Sequence, residues 1–148
     1  MEMTILRELD WQVTVPNAHY WLVRMMRLVR ASEATTQRAE YFAQRMLQEY
    51  NMLEYKPSML AAAAAHLSLV AAPEHREKWP ESLSHLTGYQ ASDLHPCCKS
   101  VAYHINVQHT QDASRATAKL SACRKKFARD EFSKVSDRLK LPIVPRRS

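Results

Sequence analysis

Apolar residues recur along most of the chain at the spacing of an α-helix. Between residues 17 and 31 they lie three and four positions apart, while Arg24, Arg27 and Arg30 lie on the opposite side. These apolar positions are Ala18, Trp21, Leu22, Met25, Met26 and Val29. A second face with the same spacing comprises Ala39, Phe42, Ala43, Met46, Leu47, Tyr50 and Leu53. The pattern predicts consecutive amphipathic helices whose apolar faces are buried.

The same periodicity predicts where the helices lie. We expect a lead helix over Glu2–Leu9, five helices over residues 17–31, 35–54, 57–72, 80–86 and 91–109, and a basic terminal helix over Ala116–Glu131. On the lead helix, Ile5, Leu6 and Leu9 share one side. On the terminal helix, Leu120, Cys123 and Phe127 are predicted to face inward, and Lys119, Arg124, Lys125 and Arg129 mostly outward. Trp11, Trp21 and Trp79 lie at or near apolar faces, so we expect core packing for each.

The helix over residues 57–72 differs from the others because Ala61 to Ala65 form an unbroken row. Alanine on every side predicts a helix that other helices surround at close range, and therefore the central helix of the core. Pro57 suits its first turn, where the missing N–H costs nothing. We likewise expect Pro80 and Pro96 to mark helix starts, and Gly88 to follow a helix in the left-handed conformation.

Composition narrows the fold class to all-α. The chain has 148 residues with one glycine and seven prolines, and β-sandwiches and doubly wound α/β folds need many turns with positive φ. A single glycine also excludes glycine-rich phosphate loops, which need two or more.

The net charge of +6 is concentrated near the C-terminus. Residues 1–114 carry 10 Lys and Arg against 12 Asp and Glu, whereas residues 115–148 carry 11 against 3. A nucleic-acid-binding hypothesis is thereby confined to this last quarter. A basic face without interleaved aromatic residues is more often simply solvated, so we consider nucleic acid an improbable partner. We expect the end, Pro142–Ser148, to be poorly ordered.

Cysteine and histidine residues give little support to an active site. Cys97, Cys98 and Cys123 are odd in number and two are adjacent, which argues against disulfides and favours a reducing compartment. His95, His104 and His109 flank the adjacent pair, but zinc sites favour spaced pairs such as Cys-x₂-Cys. No membrane-spanning run or signal pattern is evident, so we expect a soluble intracellular protein with no metal and no cofactor.

Three stretches together resemble the C-terminal part of a mitotic cyclin, closest to the B type with A-type features. The first is Met1-Glu-Met-Thr-Ile-Leu-Arg-Glu-Leu-Asp-Trp11 through Val15-Pro16, followed by Trp21-Leu-Val-Arg24. The second is Tyr55-Lys-Pro-Ser-Met-Leu-Ala-Ala-Ala-Ala64. The third is Trp79-Pro-Glu-Ser-Leu83 with Thr87-Gly-Tyr89, Leu94 and Pro96-Cys97, and a weaker echo follows at Lys125-Lys-Phe127 and Val135-Ser136. These motifs occur in the family's order and at its spacing.

The resemblance implies the cyclin-box fold, a five-helix domain built around a central alanine-rich helix. Residues 1–15 would be the last helix of the N-terminal box and a linker, residues 16–112 the C-terminal cyclin box, and residues 113–148 a basic C-terminal helix and tail. Most of the N-terminal box would be missing from this sequence, including the lysine that contacts the kinase.

The resemblance also implies a function. Cyclins are regulatory subunits rather than enzymes; those of the mitotic class activate a cyclin-dependent protein kinase at G2/M, in the nucleus and cytoplasm. Glu2 falls on the acidic residue that in the family touches the kinase's regulatory helix, and Leu6, Trp11 and Val13 fall on apolar positions near that contact. Pro57, Trp79, Pro80, Gly88 and Tyr89 match positions that hold the box together. Neither a catalytic residue nor a small-molecule substrate nor a membrane is implied.

Two other classes of function stay open at this point. One is a helical adaptor of cyclin-like fold whose basic C-terminal region binds nucleic acid or an acidic protein, because fold alone does not determine function. The other is a thiol or metal enzyme, which would need Cys97, Cys98 and a histidine to converge. We also expect the chain by itself to activate a kinase weakly or not at all. Its exposed lead helix could lead to self-association.

Overall fold

The computed structural model describes residues 1–12, 14–114 and 121–138, and this part of the chain is helical without strands. The all-α prediction is therefore confirmed. The α-helices are α1 (Glu2–Glu8), α2 (Ala18–Leu28), α3 (Glu33–Met46), α4 (Pro57–Val70), α5 (Glu81–Thr87), α6 (Ala91–Ser114), α7 (Ala122–Phe127) and α8 (Val135–Arg138). Two 3₁₀ turns, Tyr50–Glu54 and Asp130–Phe132, lie between α3 and α4 and between α7 and α8.

Helix α4 is the centre of the core, as its alanine row predicted. It packs against α2, α3 and α6, and Ala61, Ala62, Ala63, Ala64 and Ala65 are completely buried. Methyl side chains allow neighbouring helix backbones to approach closely. Large side chains from the surrounding helices fill the remaining space; among the fully buried ones are Leu22, Met25, Phe42, Met46, Val101 and Ile105.

The starts of α2, α3 and α4 follow from local sequence. Asn17 Oδ1 accepts a hydrogen bond from the Tyr20 backbone N–H at 2.9 Å, and Ser32 Oγ accepts one from the Thr35 N–H at 3.3 Å. These are N-caps, which satisfy amide groups that have no partner within the helix. Pro57 is the first residue of α4. Gly88 follows α5 with a φ of 75°, the left-handed conformation that the sequence predicted.

The prediction of a single helix over residues 35–54 is wrong at the C-terminal end. Helix α3 ends at Met46, and Glu49 is extended before the 3₁₀ turn begins. The helical register is lost at this break. Leu47, Tyr50 and Leu53 were assigned to the buried face, yet their exposures are 69%, 85% and 74%. Met52 is buried in their place.

Pro96 does not mark a helix start. Helix α6 begins at Ala91, which makes Pro96 its sixth residue, and the Gln90 N–H is capped by Asp93 Oδ2 at 2.8 Å. A proline here leaves the carbonyl of Ser92, four residues earlier, without its helical donor. Ser92 and Pro96 are both exposed, so water can take the place of the missing donor. Helix α6 also continues to Ser114, five residues past the predicted end.

The terminal helix expected over Ala116–Glu131 is shorter within the described residues. Helix α7 ends at Phe127, Arg129 is extended, and Ser133 and Lys134 have φ values of 54° and 51°. The chain therefore turns back, and α7 and α8 both pack on α3. Cys123 and Phe127 are buried as predicted. Burial of the Phe127 ring, 5.4 Å from Tyr41 and 4.9 Å from Phe132, favours this turn over a continuing helix.

Three expectations for this end of the chain lie outside the described residues. They are the inward side of Leu120, the outward side of Lys119 and the poor order of Pro142–Ser148.

The loop between α4 and α5 returns to the start of α3 through Glu74. Its Oε1 accepts hydrogen bonds from Ser32 Oγ at 2.9 Å and from Thr35 Oγ1 at 2.8 Å. Hydrogen bonds from its own backbone N–H, then from Thr35 and Ser32, lower the pKa of Glu74 from 4.5 to about 2. The ionised carboxylate therefore holds the loop against the N-terminus of α3, where the helix dipole also favours a negative charge.

Replacing this carboxylate should make stability depend less on pH. Because the pKa of Glu74 is lower in the folded state, its ionised form stabilises the fold above pH 4.5, and the contribution is lost as the pH falls toward 2. We expect Glu74→Gln to reduce the free energy of unfolding by about 0.5–1 kcal/mol at neutral pH, after allowing for solvent screening of an exposed group. The difference from the unsubstituted protein should narrow in acid. Urea titrations across this pH range measure it, with exposed Glu8→Gln as the control; a difference that stays constant with pH would contradict the assignment.

Candidate functional site

Helix α1 presents an apolar face to solvent. It has no buried residue, and Ile5 and Leu9 are 52% and 49% exposed. Leu6 is partly buried, and Glu2 lies exposed in the first turn. At about 100° per residue, Glu2 falls on the same side of the helix as Ile5, Leu6 and Leu9. The surface of α1 therefore combines a row of apolar side chains with one carboxylate, which is a composition suited to contact with another protein.

The chain after α1 turns sharply without a glycine. Asp10 and Trp11 have φ values of 48° and 59°. The Trp11 N–H donates to the Leu6 carbonyl at 2.9 Å, and the Asp10 N–H donates to the Arg7 carbonyl at 3.0 Å. This is the Schellman pattern of helix termination, with aspartate in the position that glycine usually takes. It fixes Trp11 at the end of the α1 surface.

The expected core packing is wrong for Trp11. Its side chain is 58% exposed, whereas Trp21 and Trp79 are partly buried and pack against the core as predicted. A bulky residue with positive φ is uncommon and costs backbone strain. Of the four predicted contact residues, Glu2, Leu6 and Trp11 thus lie on or directly after α1. Val13 lies outside the described residues.

Of the five residues predicted to hold the box together, one begins α4 and the other four lie at the two ends of α5. Trp79 Nε1 donates to the Tyr89 carbonyl at 3.0 Å, and the Tyr89 hydroxyl lies 2.9 Å from Ser58 Oγ. Pro57 precedes Ser58 at the start of α4, Pro80 caps α5, and Gly88 ends it. These bonds join the first turn of α4 to both ends of α5.

The family comparison settles what these elements belong to. The family model for the cyclin C-terminal domain matches residues 16–140. The chain belongs to the cyclin family. Helices α2 to α8 lie within this match, and they are arranged around the alanine-rich α4.

Curated relatives include both A-type and B-type cyclins. Cyclin-B1-1 of Arabidopsis thaliana is 35% identical over 88% of this chain and 30% of its own length. G2/mitotic-specific cyclin-B3 of Gallus gallus is 32% identical over 92% of this chain and 32% of its own length. Cyclin-A1-1 of Oryza sativa subsp. japonica is 29% identical over 98% of this chain and 28% of its own length. The chain therefore spans about a third or less of each of these relatives.

The cysteines of this cyclin box do not have the properties of catalytic thiols. Cys97, Cys98 and Cys123 are free and buried. Burial raises the pKa of Cys97 and of Cys98 to about 12, so the nucleophilic thiolate is suppressed at neutral pH. Nor do three His, Cys, Asp or Glu side chains converge as metal ligands anywhere in the described part of the chain. The arrangement that a thiol or metal enzyme needs is not formed by these residues.

Sequence reasoning missed a buried polar group where α3 ends. Arg45 pairs with Glu49, and the second carboxylate oxygen of Glu49 lies 3.5 Å from His104 Nδ1 on α6. The side chains of Arg45, Glu49 and His104 are 5%, 22% and 15% exposed. The spacing of Arg45 and Glu49 by four residues was the available signal. Their burial depended on the break after α3, which periodicity did not show.

None of the described helices has the length and apolarity needed to cross a bilayer.

His66 on α4 contacts the loop before α5. Its Nδ1 lies 3.1 Å from the Lys78 carbonyl and its ring meets the Trp79 ring edge-on at 5.8 Å. Desolvation lowers the pKa of His66 despite the hydrogen bond to the carbonyl. His66 thereby joins the middle of α4 to the Trp79 group.

Removing one hydroxyl tests whether the Trp79 and Tyr89 group stabilises the cyclin box. We expect Tyr89→Phe to lower the free energy of unfolding by about 1 kcal/mol, because Ser58 loses its partner in a partly buried position. Tyr50→Phe is the matched control, since Tyr50 is 85% exposed. Chemical denaturation measures both variants. Equal stability of the two variants would show that the Ser58 bond contributes nothing.

Proposed function

We propose that this chain is the C-terminal cyclin box of a mitotic cyclin, closest to the B type, preceded by the last helix of the N-terminal box. We also propose that its parent protein binds and activates a cyclin-dependent protein kinase in G2/M control. The proposal includes a regulatory rather than enzymatic role, and a location in the nucleus and cytoplasm. It is supported by family membership and by the mitotic name of the chicken relative.

The observation that carries the kinase contact is the surface of α1. It offers Glu2 with exposed apolar neighbours, and it ends in an exposed Trp11 held by the Schellman bonds. Exposed aromatic and aliphatic side chains beside a charge are typical of the centre and rim of a protein interface. We propose that Glu2, Leu6, Trp11 and Val13 contact the kinase's regulatory helix.

Such a contact would act by population shift. A cyclin that binds the active kinase conformation better than the inactive one raises the population of the active form by the difference in affinity. In that form the kinase's own Lys–Glu ion pair is in place for phosphoryl transfer. The cyclin itself supplies no group to the reaction.

A nucleic-acid-binding role for the basic C-terminal region has less support. Among its described cations, Lys134 pairs with Asp130 at 2.8 Å and Arg129 with Glu131 at 3.4 Å. Lys126 donates to Gln44 at 3.1 Å. Cations that are already paired within the protein contribute less to binding phosphates.

The isolated chain should stimulate a kinase weakly or not at all. It would supply only the part of the kinase contact that lies on and after α1. In the isolated chain, α1 would also have no first cyclin box to pack against. Phosphorylation of a substrate by a cyclin-dependent kinase, with this chain or with a whole B-type cyclin added, measures the effect. Stimulation by the isolated chain equal to that by the whole cyclin would contradict the proposed division of contacts. Light scattering of the same sample would reveal self-association through α1.

Charge reversal at Glu2 tests the proposed contact itself. In a chimera that places the first box of a B-type relative before Met1, we expect Glu2→Arg to weaken kinase binding by about 1–2 kcal/mol, or roughly tenfold in Kd. Glu8→Arg is the matched control, because Glu8 lies on α1 about 120° away from Glu2. Calorimetric titration with the kinase measures both variants. Undiminished affinity for the Glu2 variant would remove this residue from the contact.

A further inference from the structure

An open groove lies on the side of the cyclin box where α5 meets the start of α6. Its volume is about 460 Å³, and Trp79 forms part of its wall. Glu81, Ser84, His85 and Gly88 line it from α5 and its C-cap, at the spacing of a single helix face. The volume falls within the range of about 300–1,000 Å³ that is usual for ligand sites.

The aromatic wall of this groove is held in place. Trp79 Nε1–H is bonded to the Tyr89 carbonyl at 3.0 Å, and His66 packs edge-on against the indole at 5.8 Å. The ring therefore loses little freedom when a ligand packs against it, which favours binding. Gly88 leaves the adjoining space open, because a Cβ atom at this position would meet nothing within 4 Å.

The charges around the groove favour a cation. Glu77 and Glu81 both line it and are exposed. Lys78 lies between them in sequence, but its ammonium group is directed to the carbonyls of Ala72 and His75. His85 Nε2 lies 3.4 Å from the Glu81 carboxylate, but both side chains are largely exposed. A bound cation can therefore take the place of His85 beside Glu81.

We propose that this groove binds an arginine side chain of a partner protein's extended basic segment. A planar guanidinium can stack on an indole and donate two parallel hydrogen bonds to a carboxylate, which an ammonium cannot do. Trp79 would supply the aromatic surface, and Glu77 and Glu81 the carboxylates. This surface lies on elements other than α1, and the inference does not depend on the proposed kinase contact.

A capped peptide with a central arginine among alanines tests this inference on the full chain. Its controls are the same peptide with citrulline, which keeps the shape without the charge, and with lysine. Two-dimensional NMR reports binding at the Trp79 indole N–H, whose signal Trp79→Phe identifies. We expect saturable shifts at Trp79 with the arginine peptide, and affinity roughly fivefold to tenfold lower with citrulline. Lysine should fall between the two.

Variants of the protein distinguish binding at the groove from a non-specific attraction of the peptide to exposed carboxylates. Glu77→Gln combined with Glu81→Gln should weaken arginine-peptide binding by a similar factor, roughly fivefold to tenfold. The matched control is Glu8→Gln combined with Glu131→Gln, which removes two exposed carboxylates elsewhere and should leave the affinity unchanged. Equal binding of the arginine and citrulline peptides, shifts that do not include Trp79, or an equal loss in both double variants would each overturn the proposal.

Discussion

The close approach of α2, α3 and α6 to the alanine row of α4 is the constraint on which the rest of the structure depends. Methyl groups at Ala61–Ala65 keep the neighbouring backbones near the central helix, so a larger side chain there would force helices apart rather than fill a space. Once these four helices are fixed, the loop carrying Glu74 and the group around Trp79 and Tyr89 are positioned by short connections to α4. Helix α1 lies outside this core and has no buried residue, which leaves its apolar face available.

A chain with one glycine has to end its helices by other means. Helix α1 ends with Asp10 in the left-handed conformation, and α2 ends with Arg30 at a φ of 50°. In the second case the Ala31 N–H donates to the Met26 carbonyl at 3.0 Å and the Arg30 N–H to the Arg27 carbonyl at 3.1 Å, which is again the Schellman pattern. The steric cost of a Cβ at these positions is offset by the hydrogen bonds that each turn gives to carbonyls at the helix end. Because the chain turns at Asp10, the Trp11 side chain lies exposed next to the α1 surface.

Part of the candidate site could be predicted from residue types, and part could not. The resemblance to mitotic cyclins predicted Glu2, Leu6, Trp11 and Val13 as contact residues, and helical spacing places Glu2 beside the apolar side chains of α1. That Trp11 is exposed rather than packed in the core depends on the turn at Asp10, for which the sequence carries no glycine as a signal. The groove beside Trp79 joins a loop, one face of α5 and the start of α6. Helical spacing relates the α5 residues to one another, but it could not show that they lie beside the loop.

The sequence by itself determined the all-α class, the central position of α4, most helix starts and the left-handed Gly88. These features depend on interactions within a few residues: apolar spacing, capping side chains, and the restricted backbone of proline. Only the tertiary structure decided where α3 ends, that Met52 replaces Leu47, Tyr50 and Leu53 in the core, and that α7 stops at Phe127. A helix continues while its apolar face packs against a neighbouring element. It ends where turning the chain buries more apolar surface than another helical turn would. That comparison depends on residues distant in sequence, such as Tyr41 against Phe127 and Glu49 against His104.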